Sequence, residues 1–418
     1  MAAVHFSKHV QCELHHIYDS STPAIGVGEG TTPSFPDWLT EVTGLSFAQL
    51  QKRLYITKKF GIHFENWGQT HSRFFHRFLP FGRYAYHISA ENLSGLLREH
   101  INSTHLDRRV TSVKNDGTKA RITFEEGDSM SFDFVVDARG FPKESPDDVI
   151  HLPWLTTSAA LIRKGPPVPF RRATRSIARH FGWVFVIPLL THTSYGYVFN
   201  EDLNIASDVG MDFSKLLDDE GVVSDGGERL IRFPSFVRKT MFDRRVFYIG
   251  NAASFLEPLQ ATAISIILIQ IEAAKFLIQT RQVMLESEQS LDQIQQTLSE
   301  QIQKHVIRIS MFVGWHYSMG SRFDSEFWLN AVNTFRSATN RAEWKFLRSE
   351  FDIHRDASRN ISESELGLAP EPFDLGVFPG PVNVMPQAFG SFLETSFASI
   401  GYGTGVFGGI EQNTDAVR

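Results

Sequence analysis

The chain has 418 residues, 42% of them hydrophobic and 21% charged, enough to bury roughly three quarters of its unfolded surface in one large or two ordinary domains. This composition excludes a disordered chain and a fibrous repeat. Because 41 Lys and Arg face 47 Asp and Glu, the net charge is −6, without the basic excess that binding to nucleic acid or anionic membranes needs.

The single cysteine, Cys12, permits neither an internal disulfide nor a cysteine-based metal cluster. A reducing cytoplasm is therefore the expected setting, with Cys12 as a small buried residue. The first residues contain no apolar run of signal-peptide length, and the longest largely apolar stretch, residues 261–269, is about half a membrane span. We expect no membrane partner and no nucleic-acid partner.

Hydrophobic periodicity and turn residues predict most of the elements. In chain order they are a helix-tolerant start at 1–8, a strand at 12–18, helical spacing at 35–53, a strand at 61–67, a helix at 89–101, strands at 109–114, 120–125, 130–136, 183–187, 195–200 and 245–249, and helices at 260–277 and 282–302. The three strands between residues 109 and 136 predict an antiparallel meander. The strand at 245–249 runs through Gly250 into an apolar helix, which is typical of α/β folds.

The sequence contains no internal duplication and no linker that cleanly splits it. We predict two interleaved sheets within residues 1–280 and a helical region at 281–365. A tail rich in Gly, Pro and Phe at 366–418 is expected to form packed loops, with disorder from about residue 411.

Several short motifs follow one another along the chain. They are IGVGE at 25–29, KFGI at 59–62 leading to FENW at 64–67, DARG at 137–140, GWVFVIPL at 182–189, GNAASFLEPL at 250–259 and FW at 327–328. A lone GVGE carries little information, but the ordered series is specific. With these motifs and spacings the chain resembles the flavin-dependent tryptophan halogenases, from about residue 4 to residue 328.

The resemblance implies an α/β fold in which FAD lies across a doubly wound, Rossmann-like sheet of the glutathione-reductase type, interleaved with a second sheet. It implies that a separate flavin reductase supplies reduced flavin, which reacts with O2 and oxidises chloride or bromide to a hypohalous acid. An internal tunnel would carry that oxidant to an aromatic small molecule. The implied FAD-binding residues are Asp19, Gly26, Val27, Gly28, Glu29, Asp137, Gly140, Trp183, Gly250, Asn251, Pro258 and Leu259.

The family's oxidant-handling lysine falls on Lys59. A neutral amine there could form a chloramine, whereas a protonated one could aim HOCl through a charge-assisted hydrogen bond, and burial would tune between the two. The competing interpretation is that Lys59, next to Lys58 and close to Lys52, belongs to a solvated charged face.

The tunnel wall of the family carries two tryptophans that discourage ordinary monooxygenation of the substrate. This chain has Trp183 at the first position and Phe185 at the second. An aromatic residue at both positions keeps the wall apolar. Alternation of Trp183, Phe185 and Ile187 is equally what any half-buried strand shows, so a role in function and a role in core packing both stay open.

The chain departs from the family in the loop that follows Leu259. Gln260 stands where the tryptophan enzymes have a glutamate that assists proton loss from indole, and a carboxamide cannot accept that proton. Gln260 therefore argues against the standard indole mechanism, whereas a more electron-rich phenol or pyrrole could dispense with that base. The family's halide site would fall on Thr262 and Ala263, where Ala263 replaces a glycine and could narrow or close the site.

A second departure lies between Trp67 and Tyr84, where sixteen residues replace a much longer insertion of the family. They include the aromatic residues His71, Phe74, Phe75, His76, Phe78 and Phe81. This cluster could form a wall for a flat substrate or a satellite hydrophobic core. His71 and His76 lack the spacing of a zinc pair, and His5 and His9 have it without a glutamate base, so we expect no metal.

A dinucleotide-binding fold should begin with a strand and a G-x-G-x-x-G turn, and this sequence has none. Either the start codon has been placed at an internal methionine, which we favour, or the chain is a decayed relative. In both cases we expect weak FAD binding and poor solubility for the 418-residue form.

The sequence thus favours a halogenase-like FAD oxidoreductase acting on an electron-rich aromatic small molecule, with Lys59 and Gln260 as the candidate catalytic residues. An FAD monooxygenase that needs no halide, and a non-catalytic relative that keeps the scaffold, are the alternatives. Whether the chain forms a homodimer stays open.

Overall fold

The computed structural model describes residues 1–22, 29–78, 82–142, 146–169, 172–224, 227–283, 288–361, 388–389 and 392–407. The predicted FAD contacts Gly26, Val27 and Gly28 lie outside this range. Contacts between residues divide the chain into two compact units. Unit 1 comprises Met1–Ile56, Ile88–His151 and Ser235–Val306, and unit 2 comprises Thr57–His87, Leu152–Pro234 and Ile307–Arg418.

Helices lie mostly in the first and last parts of the chain. The α-helices are α1 (Ala2–His9), α2 (Ser34–Thr43), α3 (Phe47–Leu54), α4 (Ala90–Glu99), α5 (Ala206–Asp219), α6 (Ala263–Val283), α7 (Glu288–Ser318), α8 (Glu326–Thr339), α9 (Lys345–Ser358) and α10 (Glu394–Gly403). Short 3-10 helices span Pro146–Asp148, Gly250–Ala252, Leu259–Ala261 and Ala342–Trp344.

The strands are short and numerous. The first twelve are β1 (His15–Tyr18), β2 (Glu29–Gly30), β3 (Thr57–Lys59), β4 (Gly61–Glu65), β5 (Arg73–Arg77), β6 (Ala85–Ile88), β7 (Thr104–Asp107), β8 (Val110–Asn115), β9 (Ala120–Phe124), β10 (Ser129–Phe132), β11 (Val135–Asp137) and β12 (Val149–His151). The rest are β13 (Ala159–Gly165), β14 (Thr174–Arg179), β15 (Gly182–Pro188), β16 (Thr193–Phe199), β17 (Arg229–Arg232), β18 (Phe236–Arg238), β19 (Phe242–Asp243), β20 (Val246–Tyr248), β21 (Ser254–Phe255), β22 (Ala388–Phe389) and β23 (Phe392–Leu393).

Unit 1 contains the predicted meander, since β8, β9 and β10 pair antiparallel in that order. The end of the third predicted run leaves it, because Val135 and Val136 belong to β11, which pairs parallel with β20. A second parallel pair joins β1 to β7. Cys12, expected to be buried, is exposed.

The apolar helix α6 lies in unit 1, with Ile271, Ala274 and Leu277 fully buried. Together with the turn before it, this helix is long and apolar enough to cross a membrane by length and composition alone. Half of its most apolar window is buried in the structure, and the core helix of a globular protein has the same properties. The structure therefore describes a globular α/β protein with one strongly apolar helix.

Unit 2 is built on a seven-stranded sheet with the order β17-β13-β16-β15-β14-β4-β5, in which only β14 and β4 run parallel. One face packs against α5, whose Val209, Phe213 and Leu217 contact the inward side chains of β14, β15 and β16. Strand β15 is buried along its whole length. Its Val184 and Val186 face α5, and side chains alternate along a strand, so Trp183, Phe185 and Ile187 lie on the opposite face.

Two of the predicted segments differ from the structure. The helix predicted at 282–302 corresponds to α7 from Glu288 onward, and α7 continues beyond the predicted end to Ser318. The tail, predicted as packed loops, includes the helix α10. Helical spacing in the tail was obscured by its glycine and aromatic residues.

An ion-pair network crosses the α5 face of unit 2. Arg175 donates from Nε to Glu65 at 2.5 Å and also bonds Glu220, while His63 Nδ1 lies 3.4 Å from Glu65. Burial acts to raise the pKa of Glu65, but the hydrogen bonds from His63 and Arg175 outweigh it and lower the pKa to about 2.

Glu65→Gln should therefore destabilise the fold by roughly 2–3 kcal/mol at neutral pH. A carboxylate with a lowered pKa stabilises the fold above its unfolded value, and this contribution is lost as the pH falls from about 4.5 to about 2. Urea unfolding against pH should show this loss in the unmodified chain and not in the variant. Glu201→Gln, which removes an exposed pair with Arg232, is the control and should change stability much less than Glu65→Gln does. A Glu65→Gln variant with the parent's acid sensitivity would contradict the assignment.

Candidate functional site

Lys59 is the last residue of β3 and is fully buried. Its Nζ lies 5.3 Å from the ring centroid of Phe78. Desolvation lowers the pKa of the amine from 10.5 to about 7. Lys59 therefore does not belong to a solvated charged face. Its neighbour Lys58 points the other way, with Nζ 4.1 Å above the ring of Tyr84.

Two buried imidazoles of unit 2 interact with this amine, and a third acts on one of them. His87 on β6 and His76 on β5 both interact with Lys59, and His316 on α7 acts on His76. Burial is the main reason that the pKa of His76 falls to about 3, that of His316 to about 4, and that of His87 well below its usual value. All three rings are therefore neutral at physiological pH.

Aromatic residues from three of the sequence motifs meet in unit 2. The ring centroid of Trp67 lies 6.1 Å from that of Trp183 and 5.1 Å from that of Trp328. Trp183 Nε1 donates a 2.6 Å hydrogen bond to Tyr317 Oη. The indole N–H groups of Trp67 and Trp328 also find acceptors, the carbonyls of residues 176 and 179. Since these polar atoms are satisfied, the cluster can be both buried and rigid.

Phe185 is held by a close approach of its ring to Gly196 on the neighbouring strand. An added Cβ at Gly196 would lie 2.0 Å from Cζ of Phe185. Gly196 pairs with Phe185 in the β15–β16 register. The second aromatic of the wall motif is therefore fixed in place by a glycine that the sequence analysis did not single out.

The residues between Trp67 and Tyr84 were expected to form either a substrate wall or a satellite core, and they lie in different surroundings. Phe74 stacks on Phe64 at 4.9 Å, as a core residue would, and His76 is buried beside Lys59. His71 lies outside the strand and is not buried, and Phe81 lies outside the described residues.

The predicted flavin contacts of unit 1 include two loops at the carboxyl ends of the parallel strands β11 and β20. Asp137 is buried and accepts hydrogen bonds from the backbone and the guanidinium of Arg139. Gly250 is left-handed with φ +58°, and its N–H donates to Gln270 Oε1 at 2.7 Å. In α/β folds, ligands bind beyond the carboxyl ends of such strands.

Two predicted FAD contacts near the start of the chain, Asp19 and Glu29, lie at the strands β1 and β2. Asp19 follows β1, and its carboxylate accepts from the hydroxyls of Ser21 and Thr22. These bonds, the one from Ser21 first, lower its pKa. Glu29 begins β2 and is partly buried.

The loop that leads into α6 is strained. Gln260 and Ala261 both adopt left-handed backbone conformations, with φ of 69° and 56°, that residues other than glycine rarely adopt. Such strain concentrates at functional sites. Gln260 itself is buried, as are Pro258's neighbours Glu257 and Leu259.

Thr262 and Ala263 form the N-terminal end of α6. The carbonyl of Thr262 accepts from Ile266 N and Ser265 Oγ. Its hydroxyl is buried and has no hydrogen-bond partner among the residues that the structure describes. Because the first N–H groups of a helix also lack intrahelical acceptors, an unpartnered hydroxyl at this position fits an anion.

Comparison with known proteins places these features in one family. A family model for tryptophan halogenase matches residues 1–84 and 79–411. The chain belongs to the tryptophan halogenase family. Its relatives include tryptophan 7-halogenase KtzQ of Kutzneria sp. (strain 744), 24% identical over 43% of this chain and 37% of that protein. Tryptophan 6-halogenase ThaL of Streptomyces albogriseolus is 25% identical over 60% of this chain and 49% of that protein.

Solved structures of tryptophan halogenase relatives share the fold of this chain. The flavin-dependent halogenase Xcc4156 from Xanthomonas campestris has a TM-score of 0.75 and 20% identity over 97% of this chain and 86% of its own. The tryptophan 6-halogenase SttH from Streptomyces toxytricini has a TM-score of 0.75 and 18% identity over 97% and 88%. These likenesses confirm the predicted FAD-binding, Rossmann-like α/β fold. The matches to KtzQ and ThaL span less than half of those proteins.

Gly196→Ala should cost about 1–3 kcal/mol, because the new methyl group forces the Phe185 ring out of its position. Urea unfolding followed by tryptophan fluorescence measures this cost. Gly95→Ala is the matched control: an added Cβ there meets nothing within 4 Å, and alanine should stabilise α4 by up to about 1 kcal/mol. Equal stability of Gly196→Ala and the unmodified chain would mean that Phe185 is not fixed.

Proposed function

We propose that this chain is an FAD-dependent halogenase that uses reduced flavin, O2 and chloride or bromide to halogenate an electron-rich aromatic small molecule. The observation that carries the proposal is the fully buried amine of Lys59, whose pKa burial lowers to about 7. Two further observations support the proposal. The chain belongs to the tryptophan halogenase family, and the seven-stranded sheet that carries His76 also carries the aromatic pair Trp183 and Phe185.

A lysine with a near-neutral pKa can handle hypohalous acid in either of two ways. As a free amine, its nitrogen lone pair attacks the halogen, the N–halogen bond forms, the O–halogen bond breaks, and the oxygen leaves as water after taking a proton. The aromatic substrate then takes the halogen and loses a ring proton, which restores the amine. As an ammonium group, Lys59 instead donates a hydrogen bond that holds the acid towards the substrate. Both forms are populated near neutral pH.

The residues of unit 1 fit a flavin and a halide. Asp137, Gly140, Gly250 and Asn251 follow the carboxyl ends of parallel strands and would hold FAD there. The unpartnered hydroxyl of Thr262 at the start of α6 would hold the halide. Bound reduced FAD would supply, with O2 and halide, the hypohalous acid that Lys59 receives. A separate flavin reductase would act as a transient partner, which suits a cytoplasmic protein.

Gln260 limits the class of substrate. The side chain is buried, and its carboxamide cannot take a proton from a reacting ring. A phenol or a pyrrole is electron-rich enough to react without a base at this position, whereas indole in the family's mechanism uses one. We therefore propose a phenol or pyrrole in preference to free indole.

A monooxygenase that hydroxylates its substrate without halide is the second candidate. It is favoured by Ala263, the first residue of α6, whose methyl group narrows the space where the family's glycine allows the backbone to approach an anion. This candidate predicts an oxygenated product and no dependence on halide.

Lys59→Met should abolish halogenation, with a loss of about 100-fold or more, because it removes the amine and keeps a side chain of similar length. The assay is the full-length chain with added FAD, a flavin reductase, NADH, bromide or chloride, and phenol, pyrrole and indole substrates, read by mass spectrometry. Lys58→Met is the matched control and should retain activity, since Lys58 lies over Tyr84 on the other side of β3.

Three outcomes separate the candidates in this assay. A halogenated product that Lys59→Met abolishes supports the halogenase. A hydroxylated product that forms without halide and survives Lys59→Met supports the monooxygenase. The absence of any product from FAD-loaded chain contradicts both.

A further inference from the structure

His87 is held on both ring nitrogens by threonine hydroxyls. Thr57 Oγ1 lies 2.8 Å from His87 Nδ1, and Thr174 Oγ1 lies 3.0 Å from His87 Nε2. Thr57 Oγ1 also lies 2.9 Å from the carbonyl oxygen of Pro188, to which it donates. The three side chains are buried, and His87 is fully so.

These distances fix where the protons lie. A threonine hydroxyl has one proton, and the carbonyl of Pro188 can only accept, so the proton of Thr57 goes to Pro188. His87 must then donate from Nδ1–H to Thr57 Oγ1. Its Nε2 is left as an acceptor for the hydroxyl of Thr174. The arrangement selects one neutral tautomer of the imidazole, with the proton on Nδ1.

These hydrogen bonds join the ladder of β3 and β6 to the seven-stranded sheet. Thr57 and His87 face each other in the β3–β6 ladder, while Thr174 begins β14 and Pro188 ends β15 of the seven-stranded sheet. Strand β15 also carries Trp183 and Phe185. His87 and Thr57 therefore tie the short ladder that carries the lysine to the strand that carries the aromatic wall.

Lys59 lies on the same face of this ladder as Thr57 and His87. Residues two apart in a strand share a face, so Lys59 and Thr57 point to the side where His87 stands, and Lys59 is opposite Ala85. The titratable groups that interact with Lys59 include His87 and His76, and His316 acts on His76. A proton on His87 would place a second positive charge beside the amine.

We propose that His87 is a positioning residue for Lys59, which the Thr57, Thr174 and Pro188 contacts hold as a neutral Nδ1–H imidazole. It fixes the distance between the amine and the aromatic strand and keeps a competing charge away from the amine. The inference deepens the proposed halogenase function and rests on it for its catalytic consequence. Displacing a reacting group by about 1 Å can cost about 100-fold in rate.

The sharpest variant is Thr57→Val, which keeps the β-branched shape and removes only the hydroxyl that links His87 to Pro188. It should lower halogenation by about 10–100-fold and shift the rate–pH profile, with little change in substrate KM. His87→Asn can keep the bond on the Thr57 side and should restore part of the rate relative to His87→Phe, which keeps neither bond. Thr339→Val is the matched control: its hydroxyl is buried in unit 2 and donates to Phe335 O, and this variant should keep the parent's profile.

Two readouts do not need flavin activity. In the full-length chain labelled with ¹⁵N-histidine, the His87 signals, assigned by His87→Asn, should show a neutral Nδ1–H ring near neutral pH. Chlorination of Lys59 by added hypochlorous acid, followed by mass spectrometry, should change its pH profile in Thr57→Val and not in Thr339→Val.

The results separate this inference from the halogenase proposal. If the parent chain makes no halogenated product while both flavin-independent readouts behave as expected, the halogenase proposal is wrong and the role of His87 is supported. An Nε2–H or protonated His87 overturns the inference, and so does a folded Thr57→Val with the parent's Lys59 chlorination profile.

Discussion

The constraint on which the site depends is the removal of one amine from water. Burial of an ammonium group is so costly that the group must be paired, or lose its proton more easily, or both. Here the face that receives Lys59 is lined by Phe78 and by imidazoles that burial keeps neutral. With its pKa lowered to about 7, the amine can exchange between charged and neutral forms near neutral pH.

Local patterns in the sequence predicted the elements and the ends of strands where chemistry occurs. The meander, the helix capped by Ser89 and the strand before Gly250 follow from alternation, helical spacing and turn residues, and the structure contains all of them. The burial of Lys59 could not be read in the same way, because a Lys-Lys pair has the pattern of an exposed strand. Its surroundings come from the later strands β5 and β6 and from α7, which lies far along the chain.

His87 shows most clearly what sequence patterns leave out. It sits in a short strand that is buried along its whole length, and its partner Thr174 lies far along the chain on another sheet, so nothing near it in the sequence signals a role. The convergence of Trp67, Trp183 and Trp328 is similar, since only folding brings a strand, its neighbouring loop and the helix α8 together. The strained φ values of Gln260 and Ala261 arise from the path of the loop into α6, and neither residue type predicts them.

The central claim is that the amine of Lys59 loses its proton near neutral pH, and ¹³C NMR of the lysine Cε groups in the full-length chain tests it directly. The Lys59 resonance is the one absent from Lys59→Met. A titration midpoint near pH 7 agrees with the effect of burial on the pKa of this residue. A midpoint at about 10.4, the ordinary value for a solvated lysine, would contradict the account.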